Sequence, residues 1–484
     1  MVRTLPALAA LSLAAATLLG ACAAGPDYRP PVVETPQAFR ETPGWARAQP
    51  ADAELRGDWW TLFRDPVLDR LQARVDVDNR SLRAAMARYR QARAQIRIAE
   101  AAGAPQVGVG LNASRARVSN NVLGRSLAGR TTNDFILPVS VSWEPDLWGR
   151  IARGEEAAAA GAQASAADVE TVRLAMHADL ASSYFLVRTL DSESRLLEAT
   201  VQAYRKALAI TQERQRIGIA SGVDISLARS QLDGARAQLA DIALQRGAAE
   251  HAIATLIGVP ASSYTLAPAA DASRPGRSAI AAPPDIPVGL PSQLLQRRPD
   301  VAAAERRAAA ANAQIGVAEA SMFPALTLGG SGGVESAALS QLLSAPSRFW
   351  ALGPALAGVI FDGGARQART AQAQAGYDAS VEDYRHSTLV AFQEVEDELQ
   401  ALRVLRQEAL VQDRVVHASD QALALLTRRY GLGVVPYTDV VLAQTTALNN
   451  ERLAVGLARR RLLASVLLVK ALGGGWDRQA PAAG

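Results

Sequence analysis

The chain has 484 residues and a formal net charge of +4, with 49% hydrophobic but only 5% aromatic residues. Much of the apolar fraction is alanine, which favours helices but buries little area, so the composition predicts long, closely packed helices and no large globular core. Arginine and acidic residues are interleaved without a dense basic run, which argues against a nucleic-acid-binding protein.

The first residues are typical of an export signal. The apolar stretch from Leu5 to Leu19 follows the basic Arg3 and is too short to span a bilayer as a mature helix. The run Leu19-Gly20-Ala21-Cys22 follows and resembles a bacterial lipoprotein cleavage box, and Cys22 is the single cysteine of the chain. We therefore expect a signal peptide over residues 1–21 and a covalent lipid on Cys22. The alternative is an ordinary signal peptide with an incidental cysteine. Ala23 follows in place of an aspartate, which by resemblance points to the outer membrane, and no later segment predicts a transmembrane helix.

The sequence contains an internal two-fold repeat. The segment beginning Gln95-Ile96 recurs at Gln314-Ile315, and the segment around Asp224 recurs around Asp439. The predicted organisation is an extended segment over 22–66, a first repeat over 67–260, a linker over 261–291, a second repeat over 292–475 and a tail over 476–484.

The pattern of each repeat predicts a helix, two strands, a long helix and a shorter helix, in that order. The long helices show apolar residues at coiled-coil spacing. The predicted ranges are, for the first repeat, Val67–Ala102, Pro105–Ser114, Phe135–Leu147, Arg150–Arg216 and Ile225–Ile257, and for the second repeat, Pro299–Met322, Pro324–Val334, Phe349–Phe361, Ala365–Arg429 and Thr438–Leu472.

The second strand alternates in character. One face would carry Phe135, Leu137, Val139, Val141 and Trp143, and the other Ser140, Ser142 and Glu144. Apolar-out, polar-in strands of about ten residues are typical of a membrane β-barrel wall, with a small soluble sheet as the alternative. Because an open sheet edge cannot sit in lipid, four strands per chain predict a barrel shared between chains. Two chains would give a narrow, filled barrel and three would leave a lumen.

Several motifs carry a resemblance to a known family. They are Gly25-Pro26-Asp27-Tyr28, Trp59-Trp60, Trp143-Glu144 with Asp146-Leu147-Trp148-Gly149-Arg150, the run from Leu295 to Val301, and Phe361-Asp362-Gly363-Gly364. Together with Cys22 they resemble the TolC-like outer-membrane efflux family, in its OprM/NodT-type lipoprotein branch. The resemblance implies a mainly α protein with membrane β structure: a homotrimer whose twelve-stranded β-barrel continues into a long α-helical barrel in the periplasm. It also implies a periplasmic adaptor and an inner-membrane resistance-nodulation-division pump as partners.

The resemblance also implies a periplasmic gate at the ends of the helical hairpins. Asp439 matches a position that can line the constriction, where three carboxylates would attract cations, although an aspartate can also simply cap the returning helix. Tyr430 and Asp224 match a tyrosine–aspartate tie between neighbouring hairpins. Val435 replaces an arginine latch and Leu442 replaces a second acidic position, so apolar contact from Leu442 is expected in their place.

Enzyme signatures are absent from the sequence. It contains no phosphate-binding loop of the G-x-x-x-x-G-K-[ST] type, so we expect no ATP site, no cofactor and energy supplied by the partner pump. The glycine-rich run Gly329–Gly333 is expected to form a loop at a strand end, and the four histidines are expected on helix surfaces without metal-ligand spacing. The function indicated is a passive outer-membrane duct for small molecules. The alternatives are a channel for type I protein secretion and a non-conducting structural lipoprotein.

Overall fold

A computed structural model describes residues 24–41, 57–121, 128–268, 283–284, 286 and 297–475. The predicted signal peptide, Cys22, most of the linker and the tail lie outside these residues. Within them the elements are, in chain order, α1 (Pro66–Asp78), α2 (Arg80–Ala101), β1 (Gln106–Val109), β2 (Asn112–Arg117), β3 (Thr131–Trp143), α3 (Arg150–Arg216), α4 (Gly222–Leu256), α5 (Pro299–Ala320), β4 (Ala325–Ser336), β5 (Arg348–Ala357), α6 (Ala365–Gly431) and α7 (Tyr437–Ala471).

The structure confirms the two-fold repeat. The long helices α3 and α6 have 67 residues each, and the returning helices α4 and α7 have 35 each. The helices that lead into the strands, α2 and α5, have 22 residues each. At 1.5 Å per residue, each long helix measures about 100 Å.

The prediction of one helix from Val67 to Ala102 is wrong, because the chain breaks at Asn79. The Asn79 N–H donates to the Val75 carbonyl at 3.1 Å and ends α1. Its side-chain oxygen accepts from the Leu82 N–H at 2.9 Å and so caps the start of α2. Its side-chain amide donates to the Leu256 carbonyl at 2.7 Å, which fixes the break against the end of α4.

The strands form an antiparallel sheet in the order β1-β3-β4-β5, with β2 also paired to β3. The first predicted strand is therefore split in two, although β1 and β2 pair with β3 in one continuous register. The split lies opposite Pro138, where the Gly110 N–H donates to the Pro138 carbonyl at 3.0 Å. Because Pro138 has no N–H, it cannot donate the reciprocal hydrogen bond to the Gly110 carbonyl, and the ladder is interrupted there.

The register confirms the predicted alternation and extends it across the whole sheet. One face is apolar across the centre of the sheet, where Val109 pairs with Val139, Val139 with Gly332 and Gly332 with Trp350. The opposite face carries mainly small or polar groups, since Gly108 pairs with Ser140, Ser140 with Ser331 and Ser331 with Ala351. The larger apolar exceptions on this face are Ile136, Pro138 and Phe349. The sheet thus has one mainly apolar face and one face of mainly small and polar residues.

The expectation that Gly329–Gly333 forms a loop is wrong, because these residues lie in the middle of β4. Because these glycines have no side chains, groups on the adjacent strands β3 and β5 can approach β4 closely. A Cβ on Gly330 would lie 3.2 Å from Leu352 Cδ1, and one on Gly333 would lie 2.2 Å from the Leu137 carbonyl oxygen. Close strand approach, and not a turn, explains the run.

The described residues divide into two compact units. The first comprises those within Met1–Val32, Arg88–Ser165 and Ala303–Tyr384 and contains the sheet; the second comprises those within Val33–Ala87, Ala166–Ala302 and Arg385–Gly484. The largest apolar core lies in the second unit and includes Val395, Leu399 and Leu402, so the predicted coiled-coil stripe of α6 is buried. None of the described helices is both long enough and apolar enough to cross a membrane.

One of the four histidines departs from the expected helix surface. His177 is 3% exposed and stacks on Trp60, with ring centroids 4.3 Å apart. Its Nδ1 lies 2.6 Å from Gln72 Oε1 and its Nε2 lies 3.3 Å from Asp76. A partner on each ring nitrogen makes this histidine a satisfied core residue of the second unit.

Candidate functional site

The candidate gate is built on two hairpins, α3–α4 and α6–α7, whose turns have the same geometry. In the first, Gly218 has φ +81° and its N–H donates to the Gln215 carbonyl, while the Ile219 N–H donates to the Arg214 carbonyl. In the second, Gly433 has φ +77° and the equivalent bonds join Gly433 to Tyr430 and Val434 to Arg429. Both long helices thus end in a Schellman motif that requires glycine at the left-handed position.

The two returning helices begin differently, and the difference decides what each aspartate does. In α4, Ser221 is the N-cap and Asp224 is the third residue, and their side chains form a reciprocal capping box. In α7 the N-cap is Pro436, which makes no side-chain capping bond, and Asp439 occupies the position equivalent to Asp224. Asp439 is therefore not the N-cap of its helix. Its carboxylate has no partner among the described residues and remains available at the hairpin end.

An arginine joins the two hairpins. Arg214 Nη1 donates to the Tyr430 carbonyl at 2.7 Å, and the guanidinium carbon lies 4.4 Å from the centroid of the Tyr430 ring. A hydrogen bond and a cation–π contact thus converge on one residue. The Tyr430 ring in turn lies 5.2 Å from that of Tyr437, at an interplanar angle of 50°.

Apolar burial supports this contact. Ala228, Tyr437 and Val440 are buried together, with Tyr430 partly buried against them. Burial, followed by the nearby Tyr430 and Asp224, raises the pKa of Tyr437 to about 12. The site is therefore a packed contact between the hairpins, with few charges inside it.

The predicted tie between Tyr430 and Asp224 does not form within one chain. The Asp224 carboxylate accepts from the Ser221 N–H at 2.8 Å and from its hydroxyl at 3.0 Å. The Tyr430 hydroxyl is buried without a hydrogen-bond partner in the described part of the chain. An unpartnered buried hydroxyl costs on the order of 1–3 kcal/mol.

The other predicted site residues are separate from this contact. Leu442 is 70% exposed in the described protomer. Cys22 lies outside the described residues, so its predicted lipidation stays a prediction. Sequence reasoning missed Arg214 of α3 as a site residue.

The sheet is the second part of the candidate site. Within the described residues, β1 and β2 pair only with β3, and β5 pairs only with β4. Both edges therefore present unpaired backbone groups, which a sheet in lipid cannot leave open.

Comparison with known proteins assigns the family. The model of the outer membrane efflux protein family matches residues 73–259 and 290–474. The chain is 33% identical to the pyoverdine export outer membrane protein OpmQ of Pseudomonas putida over 444 residues, covering 90% of this chain and 93% of that one. It is 32% identical to outer membrane protein OprJ of Pseudomonas aeruginosa, covering 98% of this chain and 97% of the relative.

Solved structures agree with the sequence relatives. The outer-membrane channel OprN superposes with a TM-score of 0.84 at 28% identity, covering 94% of this chain and all (100%) of that one. The open state of the MtrE outer membrane channel of Neisseria gonorrhoeae gives a TM-score of 0.78 at 28% identity, covering 94% and 99%. These neighbours confirm the predicted TolC-like fold. The chain is an outer-membrane channel of efflux systems and belongs to the outer membrane efflux protein family.

Proposed function

We propose that this chain is a passive, trimeric duct that carries small toxic molecules from the periplasm to the exterior, docked to a periplasmic adaptor and a resistance-nodulation-division pump. Support comes from full-length relatives named for pyoverdine export and for toluene efflux. The chain itself carries no catalytic role in this proposal, and the partner pump supplies the energy. The long helices, each about 100 Å, form the periplasmic part of the duct.

The observation that carries this proposal is the sheet. Its mainly apolar face suits lipid, its opposite face of mainly small and polar groups suits an aqueous lumen, and both edges are unpaired in the described residues. With β1 and β2 counted as one interrupted strand, each chain brings four strand positions, so three chains close a twelve-stranded barrel. Pairing β5 of one copy with β1 of the next would satisfy the edge backbone groups.

The same proposal assigns the gate. Asp439 of three copies forms a carboxylate ring at the periplasmic mouth, because Pro436 leaves this carboxylate free of helix capping. The Tyr430 hydroxyl, unpartnered in one described protomer, bonds Asp224 of a neighbouring copy in the closed state. Leu442, exposed in the protomer, adds apolar contact around the axis.

Reconstitution tests the function directly. We expect native mass measurement of the detergent-extracted protein to give a trimer, and the trimer to conduct ions across a planar bilayer. A stable monomer, or a trimer that never conducts under any voltage or salt, would contradict the duct.

The carboxylate ring predicts ion selectivity. Asp439→Asn should reduce the preference for cations, measured as the reversal potential in a potassium chloride gradient, because the free carboxylate at the mouth is lost. Asp413→Asn is the control, since Asp413 is an exposed carboxylate of α6 that lies away from the hairpin end. If the two variants shift the reversal potential equally, Asp439 has no special position at the constriction.

A further inference from the structure

The turn between β5 and α6 exposes three consecutive apolar side chains. Val359 is 58% exposed, Phe361 is 87% exposed and Ile360 is fully exposed at 100%. Three adjacent apolar residues this exposed on a rigid turn mark an interaction surface. They immediately precede Asp362-Gly363-Gly364. The proposed gate and duct assign no role to this motif.

The turn is held firmly although its side chains are free. Arg366 Nη2 donates to the Val359 carbonyl at 2.6 Å, and Arg366 Nη1 donates to the Met322 carbonyl at 3.3 Å. Asp362 accepts from the Arg366 side chain at 2.7 Å and from the Gly364 N–H at 3.0 Å, which fixes the start of α6. The exposed residues are thus displayed by a braced turn and not by a loose loop.

The turn belongs to an aromatic cluster at one end of the sheet. The four connections between strands and helices all lie at this end, where β3 finishes at Trp143 and β5 finishes at Ala357. Trp148 stacks on Phe323 with ring centroids 4.7 Å apart, and its indole N–H donates to the Pro324 carbonyl at 2.8 Å. Aromatic side chains gathered at the end of an apolar sheet face are typical of a membrane–water interface.

The N-terminal segment independently indicates the depth of the aromatic cluster in the bilayer. The Ala24 N–H donates to the Trp148 carbonyl at 3.0 Å, so the chain next to Cys22 is tied to this aromatic cluster. Two residues of extended chain span at most about 7 Å, so a lipid carried by Cys22 would be attached within about that distance of Ala24. One turn into α6, the exposed Arg369 has no ion-pair partner among the described residues, as expected for a cation facing lipid phosphates.

We propose that the turn Val359–Phe361 inserts into the inner leaflet of the outer membrane and, with Trp148 and Phe323, sets how deep the sheet sits. This inference rests on the proposed function, because it takes the apolar sheet face to contact lipid. The occupant is the acyl and glycerol region of the inner leaflet, since the turn continues the apolar face at its helical end and lies beside the tether to Cys22.

A depth measurement tests the proposal. Single cysteines at Ile360, Leu352 and Leu432 would each carry a nitroxide, and the trimer would be reconstituted in vesicles of phosphatidylethanolamine and phosphatidylglycerol. Leu352 is the lipid reference on the apolar sheet face, and Leu432, in the α6–α7 turn, is the water reference. The parent chain, treated in parallel, gives the background from Cys22. We expect the ratio of oxygen to nickel-chelate collision rates at Ile360 to be several-fold higher than at Leu432.

The other outcomes separate the two proposals. A label at Ile360 that collides with neither reagent would show that a neighbouring copy covers the turn, and a label that collides with the nickel chelate as at Leu432 would place the turn in water. Either result overturns the inference while a lipid-facing Leu352 keeps the proposed function. A nickel-accessible Leu352 would instead overturn the membrane sheet itself.

Discussion

Arg214 makes a polar contact between the ends of the two hairpins. Its hydrogen bond and cation–π contact with Tyr430 are together worth on the order of 2 kcal/mol when partly shielded from water. Summed over the three copies of the proposed trimer, that is comparable to the about 5.5 kcal/mol that moves a two-state equilibrium from 1:99 to 99:1. A change at one residue can therefore alter the resting state of the mouth.

We predict that Arg214→Gln raises the single-channel conductance in planar bilayers by loosening the closed mouth. Arg429→Gln is the matched control, because Arg429 is the equivalent residue of the second repeat and makes no side-chain contact in the described protomer. Wild-type conductance in Arg214→Gln, with the trimer intact, would show that this contact does not hold the mouth closed.

Glu398 on α6 gives a prediction about pH. Burial, then the neighbouring Asp397 and Glu394, raises the pKa of Glu398 to about 7. A raised carboxyl pKa stabilises the fold while the group is protonated, and this stabilisation is lost as the pH rises through 7. Glu398→Gln should therefore raise the melting temperature of the trimer at pH 8 and change little at pH 5. Asp413→Asn, on an exposed face of the same helix, should alter neither value, and an unchanged pH profile in Glu398→Gln would contradict the prediction.

At these hairpins the sequence located the residues but not their partners. The repeat placed Asp224 and Asp439 at equivalent positions, and the structure confirms that both are third residues of their helices. The capping of Asp224 follows from Ser221 three residues earlier, a local pattern that sequence reasoning can use. The contact of Arg214 with Tyr430 joins residues 216 positions apart, and no local pattern encodes it.

At the scale of elements, the long helices were predictable because their periodic apolar spacing and their glycine ends are local signals. The range Arg150–Arg216 is the same in the prediction and in the structure. The break at Asn79 was missed because a residue that ends one helix and caps the next leaves the apolar spacing nearly continuous. The gap between β1 and β2 was missed because its cause, Pro138, lies on the partner strand.

The two faces of β5 give a matched pair of substitutions. Leu352 lies on the apolar face and Ala351 on the opposite face, at the centre of the same strand. A lysine on the lipid face at mid-depth costs about 2–4 kcal/mol, whereas one facing an aqueous lumen is tolerated. We predict that Leu352→Lys lowers the yield of heat-modifiable trimer in outer-membrane extracts and that Ala351→Lys does not. The opposite ranking would mean that the faces are assigned the wrong way round.

At the scale of the whole molecule, the assembly and the anchor are separate questions. In the proposed trimer, the unpaired strand edges of neighbouring copies pair through backbone groups along β1 and β5. A lipid on Cys22 would add membrane affinity at the N-terminus. That terminus is held independently, since Arg153 bonds the Ala24 and Gly25 carbonyls and the Asp27 carboxylate.

We therefore predict that Cys22→Ser abolishes incorporation of labelled acyl chains but leaves the trimer and its conductance intact. The thiol is the single acylation site available, whereas strand pairing and the Arg153 contacts do not involve it. Palmitate labelling followed by native mass measurement of the same preparation checks both halves. Acyl chains on the Cys22→Ser protein would contradict the lipoprotein assignment. A labelled wild type beside an unlabelled, monomeric variant would instead show that the anchor brings the copies together before their strand edges pair.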